Sequence, residues 1–252
     1  MARTILIIGI GAGDPDYLTL QAVAALRRVD VFFMPGKGEE KRALNRLRST
    51  LCERHIPDRP YRTVDFAVPE RIVSDTDYQA SIADWRARVE AEYRRLFAEA
   101  LAEGECGGFL VWGDPTLYDG TLRILTEMQA AGAELEIEVI PGISAVQALV
   151  VRHRIPLNRV GGSVLITTGR RIATALPAAD DIVVMLDSEM RFTRYVDEPI
   201  DIYWGAYLGT EDELLVAGPL AEVAEKIAHL RHAARARHGW VMDTYLLRRR
   251  VE

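Results

Sequence analysis

Three stretches of the chain repeat one arrangement, in which an apolar run meets a glycine or proline turn and a helix-forming segment follows. They read TILIIGIGAGDPDYLTL, GFLVWGDPTLYDGT and EIEVIPGISAVQAL. Short runs of β-branched and other apolar residues bounded by glycine are typical of parallel strands buried on both faces. The three units predict a doubly wound parallel sheet whose ligand-facing loops gather at the carboxyl ends of the strands.

Further elements are predicted around these units in the first half of the chain. Thr19 can cap the helix that follows it, and the run DVFFM at 30–34 predicts a second strand. Residues 78–103 carry apolar side chains at three- and four-residue steps, which predicts an amphipathic helix. We expect Gly104 and the pair Gly107–Gly108 to end that helix.

After a cluster of proline, asparagine and glycine at 153–162, the pattern restarts with SVLITTG, DIVVMLD and IDIYWGAYLG. The helices predicted in this part lie at about 171–178, 189–197 and 219–237. We interpret the cluster as a linker between two α/β domains, an N-terminal one at 1–157 with the glycine-rich loops and a C-terminal one at 158–252.

Charge, cysteine usage and hydropathy narrow the class of protein. A net charge of -6 argues against a general nucleic-acid binder. The two cysteines, Cys52 and Cys106, form no CxxC pair, which argues against a disulfide framework or structural zinc and favours a reducing cytoplasm.

His229 and His232 have no third ligand nearby in sequence, so we expect no metal. The N-terminal apolar run breaks at glycines, and no other run reaches the length of a membrane span. We expect a cytoplasmic protein with no membrane and no nucleic-acid partner.

The first glycine turn fits a dinucleotide poorly. The dinucleotide fingerprint needs glycines at its first, third and sixth positions, and the sixth position counted from Gly9 is Asp14. A carboxylate there would lie near the pyrophosphate, and Pro15 delays the helix whose amides would bind it. The second strand also ends in Met34 rather than in an acidic residue that could bind a ribose.

Two of the glycine turns contain an aspartate, Asp14 and Asp114, which suits a ligand that is neutral or positively charged at its reactive end. The sulfonium of S-adenosylmethionine is such a group. The residues alone leave three interpretations open. They are an S-adenosylmethionine site, a modified dinucleotide site, and glycine turns that serve only backbone geometry.

In order and separation, GIGAGDPDYLTL, VWGDPTLY, VIPGISAVQAL, VVMLD and YLGTEDE resemble the motifs of the tetrapyrrole methylase family. The match spans nearly the whole chain. The resemblance implies two α/β domains, S-adenosylmethionine bound in the cleft between them, S-adenosylhomocysteine as product, and a homodimer. The stretches DVFFMPGKGEEK, FLVWGDPTLYDGTLRIL and TTGRR are most similar to members that act in cobalamin biosynthesis. That similarity implies methylation of precorrin-5 at ring carbon 1, with the extruded acetyl group released as acetate.

The resemblance also implies which residues contact the cofactor. These are Gly11, Ala12 and Gly13 in the first loop, Gly113, Asp114 and Leu117 in the second, Ser144 and Ala145 in the third, and Met185 and Gly209 in the second domain. Two positions depart from the family pattern. Ala12 stands where proline is common, and Pro35, Gly36 and Lys37 stand where an acidic residue and an arginine are often found. No catalytic base is carried over from that second position.

Release of acetate needs water to attack the acetyl carbonyl, so a general base and a donor for the developing oxyanion are required. Asp114 and Tyr118 lie on the loop that should face both ligands and are the candidates. Alternatively, Asp114 ties its own turn or holds the amino group of methionine, and Tyr118 packs. A tetrapyrrole rich in carboxylates also needs cations, for which Lys37, Arg170 and Arg171 are candidates because they lie near strand ends.

Three other functions stay open at this point. They are methylation of another precorrin or a related target, an NAD-dependent oxidoreductase, and a noncatalytic tetrapyrrole carrier.

Overall fold

A computed structural model describes residues 2–36, 42–70, 78–172 and 175–250. Contacts divide the chain into two compact units. The first comprises the residues up to Gly11 together with Pro15–Ile143, and the second comprises Ala12–Asp14 together with the residues from Ser144 onward. Each unit carries its own sheet and helices, as the two-domain α/β prediction requires.

The first unit is built on a parallel sheet. Its elements are β1 (Arg3–Gly9), α1 (Leu20–Leu26), β2 (Val31–Pro35), α2 (Arg42–His55), β3 (Arg62–Phe66), α3 (Tyr78–Ala100), β4 (Cys106–Val111), α4 (Thr121–Ala130) and β5 (Leu135–Ile140). The strand order is β3-β2-β4-β1-β5, and every pair is parallel. Helices α1 and α2 pack on one face and α3 and α4 on the other, so the predicted doubly wound sheet is confirmed.

Strand β1 shows why the sheet is buried on both sides. Leu6 and Ile8 pack towards α1 and α2, whereas Ile5 and Ile7 pack towards α3 and α4, and all four side chains are fully buried. Successive side chains of a strand point to opposite faces, so an uninterrupted apolar run needs cover on both. The carboxyl end of this central strand is thereby fixed in position, and so is the loop that follows it.

One predicted helix start is confirmed, and one predicted helix end is wrong. Thr19 caps α1, and its hydroxyl accepts a hydrogen bond of 3.0 Å from the Ala22 amide. The prediction that Gly107 and Gly108 end α3 is wrong, because both lie inside β4. A Cβ on Gly107 would stand 2.7 Å from the ring of Phe33, and one on Gly108 would stand 2.7 Å from Val29, so these glycines allow close packing on the sheet.

The second unit is built on a mixed sheet. Its elements are α5 (Ala145–His153), β6 (Val164–Thr168), β7 (Asp181–Met185), β8 (Ile200–Ala206), β9 (Leu214–Pro219), α6 (Leu220–His238) and β10 (Asp243–Arg249). The strand order is β6-β7-β10-β8-β9. Strands β6 and β7 are parallel, and the other neighbours are antiparallel. The three predicted strands and the last predicted helix are confirmed.

The other two helices predicted in this unit differ from the structure. The one at 189–197 is a short 3-10 helix, Arg191–Tyr195. The one at 171–178 is wrong, because the described residues of that segment form turns and bends. Pro177 disfavours a helical conformation at the residue before it, which leaves too few residues for a stable helix.

Helix α5 belongs with the second unit by its contacts, whereas the sequence analysis places it in the first domain and sets the boundary after residue 157. Leu149 on α5 lies against Gly205 of β8, where an added Cβ would stand 3.0 Å from the leucine side chain. His153 Nε2 lies 3.0 Å from the Trp204 carbonyl oxygen. The contact-based division therefore falls before α5, at residue 144.

The cysteines are structural. Cys52 is buried and Cys106 is half-buried, and both are free thiols. Burial raises the pKa of Cys52 to about 12 and that of Cys106 to about 11, which keeps both thiols protonated and unreactive at neutral pH. Among the described residues, no helix is long and apolar enough to cross a membrane, and no group of three acidic, cysteine or histidine side chains is placed to hold a metal.

Candidate active site

Three loops leave neighbouring strands at one edge of the first sheet. The first loop (10–19) follows β1, the second loop (112–120) follows β4, and the third loop (141–144) follows β5. Since β4, β1 and β5 are adjacent and parallel, their carboxyl ends meet at the same edge. This confirms the expected gathering of loops, and ligands of open α/β sheets bind at such edges.

Glycines let the backbones of these loops approach one another closely. Gly11 and Gly113 exchange backbone hydrogen bonds of 3.3 and 2.8 Å, and both have left-handed backbone angles, with φ of 78° and 73°. A Cβ on Gly9 would stand 2.6 Å from the Gly142 nitrogen, and a Cβ on Gly142 would overlap the Gly113 carbonyl oxygen. Backbone atoms therefore line this edge of the sheet, and a side chain at position 9 or 142 would collide with the backbone of a neighbouring loop.

Sequence analysis selected Gly11 and Gly113 but missed Gly9 and Gly142. The available signal was position, because Gly9 ends β1 and Gly142 is the second residue after β5. What makes both glycines indispensable is a contact between loops far apart in sequence, which no local pattern contains.

Asp114 ties the second loop to the third. Its Oδ2 accepts a hydrogen bond of 2.9 Å from the Gly142 amide, and its Oδ1 accepts from the amide of Thr116 at 2.8 Å and from the Thr116 hydroxyl. Burial raises the pKa of this carboxyl, but the hydrogen bonds from Thr116 and Gly142 outweigh it and hold the pKa below its usual range. An ionised carboxylate engaged in three hydrogen bonds is better suited to positioning the loops than to accepting a proton.

We expect Asp114→Asn to destabilise the protein in a pH-dependent way. An amide nitrogen cannot accept the hydrogen bonds that both carboxylate oxygens accept, so the variant should lose about 1 kcal/mol or more at pH 7. Because the folded-state pKa is lowered, this stabilisation is complete above the unfolded value of about 3.9 and disappears as pH falls through the folded value. Denaturant melts of both proteins from pH 7 to pH 2 should converge at the acid end, and a constant difference would contradict this assignment.

Tyr118 and Leu117 complete the second loop. Tyr118 adopts a left-handed backbone conformation with φ of 56° and keeps 46% of its surface exposed, whereas Leu117 is half-buried. Left-handed non-glycine residues are uncommon and occur preferentially at functional sites. Burial raises the pKa of Tyr118, so its hydroxyl is protonated at neutral pH and can donate a hydrogen bond.

Other predicted residues lie along one edge of the second sheet. Strands β7 and β8 both run antiparallel to β10, and β6 is parallel to β7, so their carboxyl ends share an edge. Arg170 and Arg171 follow β6 and are exposed, Met185 ends β7 and is half-buried, and Gly209 follows β8. Lys37 lies outside the described residues.

The second unit also brings Gly13 and Gly209 together. A Cβ on Gly13 would overlap the Leu208 carbonyl oxygen and would stand 3.4 Å from the Gly209 carbonyl carbon. Glu213, which sequence analysis missed, holds this loop in place. One of its carboxylate oxygens accepts a hydrogen bond of 2.8 Å from the Gly209 amide, and the other forms an ion pair of 2.5 Å with Arg152.

Ser144 and Ala145 lie at the start of α5. Ser144 is the N-cap, its hydroxyl accepts a hydrogen bond of 3.1 Å from the Val146 amide, and the Gln147 side chain completes a capping box. Ser144 is buried in this role. Helix α5 therefore begins at a fixed point directly after the third loop.

Buried charges hold the turn after β7, next to Met185. The Tyr245 hydroxyl donates to the Asp187 carboxylate at 2.6 Å, and Arg231 donates to the Asp187 carbonyl oxygen at 2.9 Å and to the Asp243 carboxylate at 3.0 Å. The turn thus pinned carries Leu186 in a left-handed conformation, with 66% of its side chain exposed.

The first loop is built differently from a dinucleotide site. A short 3-10 helix, Pro15–Tyr17, separates the glycines from α1, which begins only at Leu20. The Thr19 hydroxyl already binds an amide of the first turn of α1. The expectation that Pro15 delays the helix is confirmed, and the helix amides that would bind a pyrophosphate do not follow the glycines directly.

Comparisons with known proteins agree with this geometry. The family model of the Tetrapyrrole (Corrin/Porphyrin) Methylases matches residues 4–224. A precorrin-6A synthase (deacetylating) of Sinorhizobium sp. is 49% identical over 249 residues, which are 98% of this chain and 95% of the relative. The crystal structure of a cobalamin synthesis related protein (CobF) from Corynebacterium diphtheriae is 36% identical, with a TM-score of 0.82 over 98% of this chain and 99% of that one.

The fold extends to more distant enzymes. A uroporphyrin-III C-methyl transferase of Thermus thermophilus, solved in complex with S-adenyl homocysteine, superposes with a TM-score of 0.55 at 18% identity, over 97% of this chain and 96% of that one.

Proposed function

The chain belongs to the tetrapyrrole methylase family, and from that premise we propose that it is a methyltransferase that converts precorrin-5 to precorrin-6A and releases acetate. The observation that carries this proposal is the 49% identity to a precorrin-6A synthase (deacetylating) along almost the full length of both chains. Among the motifs that set this group apart in the sequence, FLVWGDPTLYDGTLRIL runs from the end of β4 through the second loop into α4, and TTGRR covers the end of β6 and the residues after it.

We propose S-adenosylmethionine as the methyl donor, held by the backbone-lined edge of the first sheet. Glycines at positions 9, 11 and 142 let the loops pack backbone against backbone at this edge, so backbone amides and carbonyls are the groups that a cofactor bound there would meet. When bound, S-adenosylmethionine supplies an electrophilic methyl group. The task of the chain is then to align the acceptor carbon and to exclude water.

The deacetylation step needs a donor for the oxyanion that forms when water attacks the acetyl carbonyl. Tyr118 meets the requirement, because its hydroxyl is protonated and its loop leaves the carboxyl end of β4. Asp114 is less suitable as the general base, since both of its oxygens accept hydrogen bonds within the loops. We therefore assign Tyr118 to the carbonyl and Asp114 to loop positioning.

We expect Tyr118→Phe to slow acetate release by about 100-fold, which is the effect of removing one oxyanion donor. The phenyl ring keeps the packing of the loop, so affinity for S-adenosylhomocysteine should not change. Rapid-quench measurement of acetate and of methylated product checks both steps separately. Acetate release at the wild-type rate would remove Tyr118 from the reaction.

Substrate carboxylates would be bound by cations at the strand ends. Arg170 and Arg171 are exposed after β6, and Lys37 is the remaining candidate from the sequence. Arg152 forms an ion pair with Glu213. We also propose that the protein acts in the cytoplasm, which its cysteine usage favours, and that it is a homodimer, as the family resemblance implies.

Binding measurements separate this proposal from its rivals. Thermal melts with S-adenosylhomocysteine, NAD and NADP should show a shift with S-adenosylhomocysteine alone. A ligand at 100 times its dissociation constant adds about 2.7 kcal/mol, and each kcal/mol shifts the midpoint by about 2–4 °C. A shift with NAD alone would favour the oxidoreductase. Methylation of a different precorrin in preference to precorrin-5 would retain the family activity and reject the proposed substrate.

A further inference from the structure

Strands β2 and β4 separate at their carboxyl ends. Their pairing ends at Phe33 and Phe109, whereas β2 stays paired with β3 as far as Pro35 and β4 stays paired with β1 as far as Val111. The sheet therefore opens at the edge where the second loop begins. We call this opening the β2–β4 crevice.

Arg48 of α2 occupies the crevice. Its Nε donates to the Leu110 carbonyl oxygen at 3.0 Å, and its Nη1 donates to Asn45 Oδ1 at 2.9 Å. Asn45 in turn donates to the Pro35 carbonyl oxygen at 3.4 Å. Carbonyl groups that the separated strands no longer pair are satisfied in this way, and the guanidinium is fixed between the two strand ends.

The charge of Arg48 has no close counterion among the described residues. The side chain is only 7% exposed, and no carboxylate in the described part of the chain forms an ion pair with it. Asp119 acts on it only at longer range, and burial lowers its pKa to about 10, so it remains charged at neutral pH. Within the same residues, no acceptor is bonded to Nη2. Buried charges are normally paired, so a guanidinium with no counterion among the described residues is suited to binding an anion.

A second buried donor lies at the same strand end. Nowhere in the described part of the chain does the buried indole Nε1 of Trp112 find a hydrogen-bond acceptor. Trp112 is the first residue after β4 and packs against the apolar cluster that contains Leu110, whose carbonyl oxygen accepts from Arg48. A buried N–H without an acceptor is rare and needs an explanation.

We propose that the β2–β4 crevice binds a carboxylate through Arg48 and Trp112. A carboxylate accepts hydrogen bonds from an arginine fork and from an indole N–H, and it neutralises the buried charge. Its source is either a side-chain carboxylate of the tetrapyrrole or the acetate product, an assignment that rests on the proposed function. Because Nε1 is buried, binding requires side chains at the mouth of the crevice to move.

Carboxylate binding can be measured without catalysis. The chain has four tryptophans, so protein labelled with ¹⁵N-indole gives four Nε1 signals, and the Trp112 signal is assigned by its loss in Trp112→Phe. Titration with sodium propionate or sodium acetate, against sodium chloride at equal ionic strength, should shift the Trp112 signal saturably. In Arg48→Met the affinity should fall by about 10-fold or more. No shift in wild type, or equal affinity in Arg48→Met, would overturn the proposal.

Steady-state kinetics identify the source of the carboxylate. If a substrate side chain binds, Trp112→Phe should raise KM for precorrin-5 by about 10-fold and change kcat little. If acetate binds, the same variant should instead lose product inhibition by acetate. If Trp112→Phe changes neither KM nor acetate inhibition, a role of the crevice in the reaction cycle is refuted.

Trp85→Phe is the matched control, because the Trp85 indole already donates to the Pro69 carbonyl oxygen at 2.8 Å. It should change neither KM nor acetate inhibition. Failure of the wild-type protein to methylate precorrin-5 would reject the proposed function. The NMR titration would still show whether the β2–β4 crevice binds a carboxylate.

Discussion

Replacing Gly142 by alanine is expected to reduce affinity for S-adenosylhomocysteine by about 100-fold or more. The new methyl group would overlap the Gly113 carbonyl oxygen and would stand 2.9 Å from the Gly9 backbone, so two loops must move apart. A displacement near 1 Å at a binding site can reduce activity about 100-fold, and overpacking also destabilises the fold by about 1–3 kcal/mol. Isothermal titration gives the affinity, and far-UV circular dichroism checks that the variant is folded.

Gly120→Ala is the matched control in the same part of the fold. Gly120 has a φ of -93°, and the nearest atoms to an added Cβ lie 3.9 Å away on Ile124 and Trp85. The substitution should leave both stability and S-adenosylhomocysteine affinity close to wild type. If Gly142→Ala bound S-adenosylhomocysteine as well as Gly120→Ala does, the site would not be at the edge of the first sheet.

Arg231→Met should destabilise the protein by about 3–5 kcal/mol, with a midpoint about 10 °C lower. Arg231 and Asp243 form an ion pair of 3.0 Å, with side chains 8% and 4% exposed. Removing the guanidinium leaves the Asp243 carboxylate buried, with the Trp204 indole still donating to it at 2.9 Å. Burial already raises the pKa of Asp243 despite the arginine, which shows how unfavourable the unpaired charge would be.

An exposed ion pair of the same helix provides the control. Arg237 lies 3.5 Å from Asp212 and is 74% exposed, so Arg237→Met should change stability by less than about 1 kcal/mol. Adding Asp243→Asn to Arg231→Met should recover part of the loss, because position 243 then no longer carries a buried charge. Equal melting temperatures for Arg231→Met and Arg237→Met would contradict the importance of the buried pair.

Much of the fold was predictable because the decisive signals are local. The apolar run of β1 requires cover on both faces, and Thr19 caps α1 through its own side chain. The error at Gly107 arose because a residue distant in sequence, Phe33, packs against it and makes a glycine suitable inside β4. The contacts of α5 with β8 are likewise between residues distant in sequence, which a local pattern does not contain.

The candidate site was predictable only in outline. Motif resemblance pointed to Gly11, Gly113 and Asp114, and the structure brings these together at one sheet edge. One alternative for Asp114 is that it ties its own turn, but nothing in the sequence indicates its hydrogen bond to Gly142, which belongs to another turn. Arg48 escaped notice because an arginine in a polar helix is usually on the surface, and its burial depends on the separation of β2 and β4.

The central claim is tested most directly by a single-turnover assay under anaerobic conditions with precorrin-5 and methyl-¹³C-labelled S-adenosylmethionine. The account predicts one labelled methyl group on ring carbon 1 of the product, with one S-adenosylhomocysteine and one acetate formed for each product molecule. Transfer of no label to precorrin-5, or methylation that leaves the acetyl group in place, would contradict it.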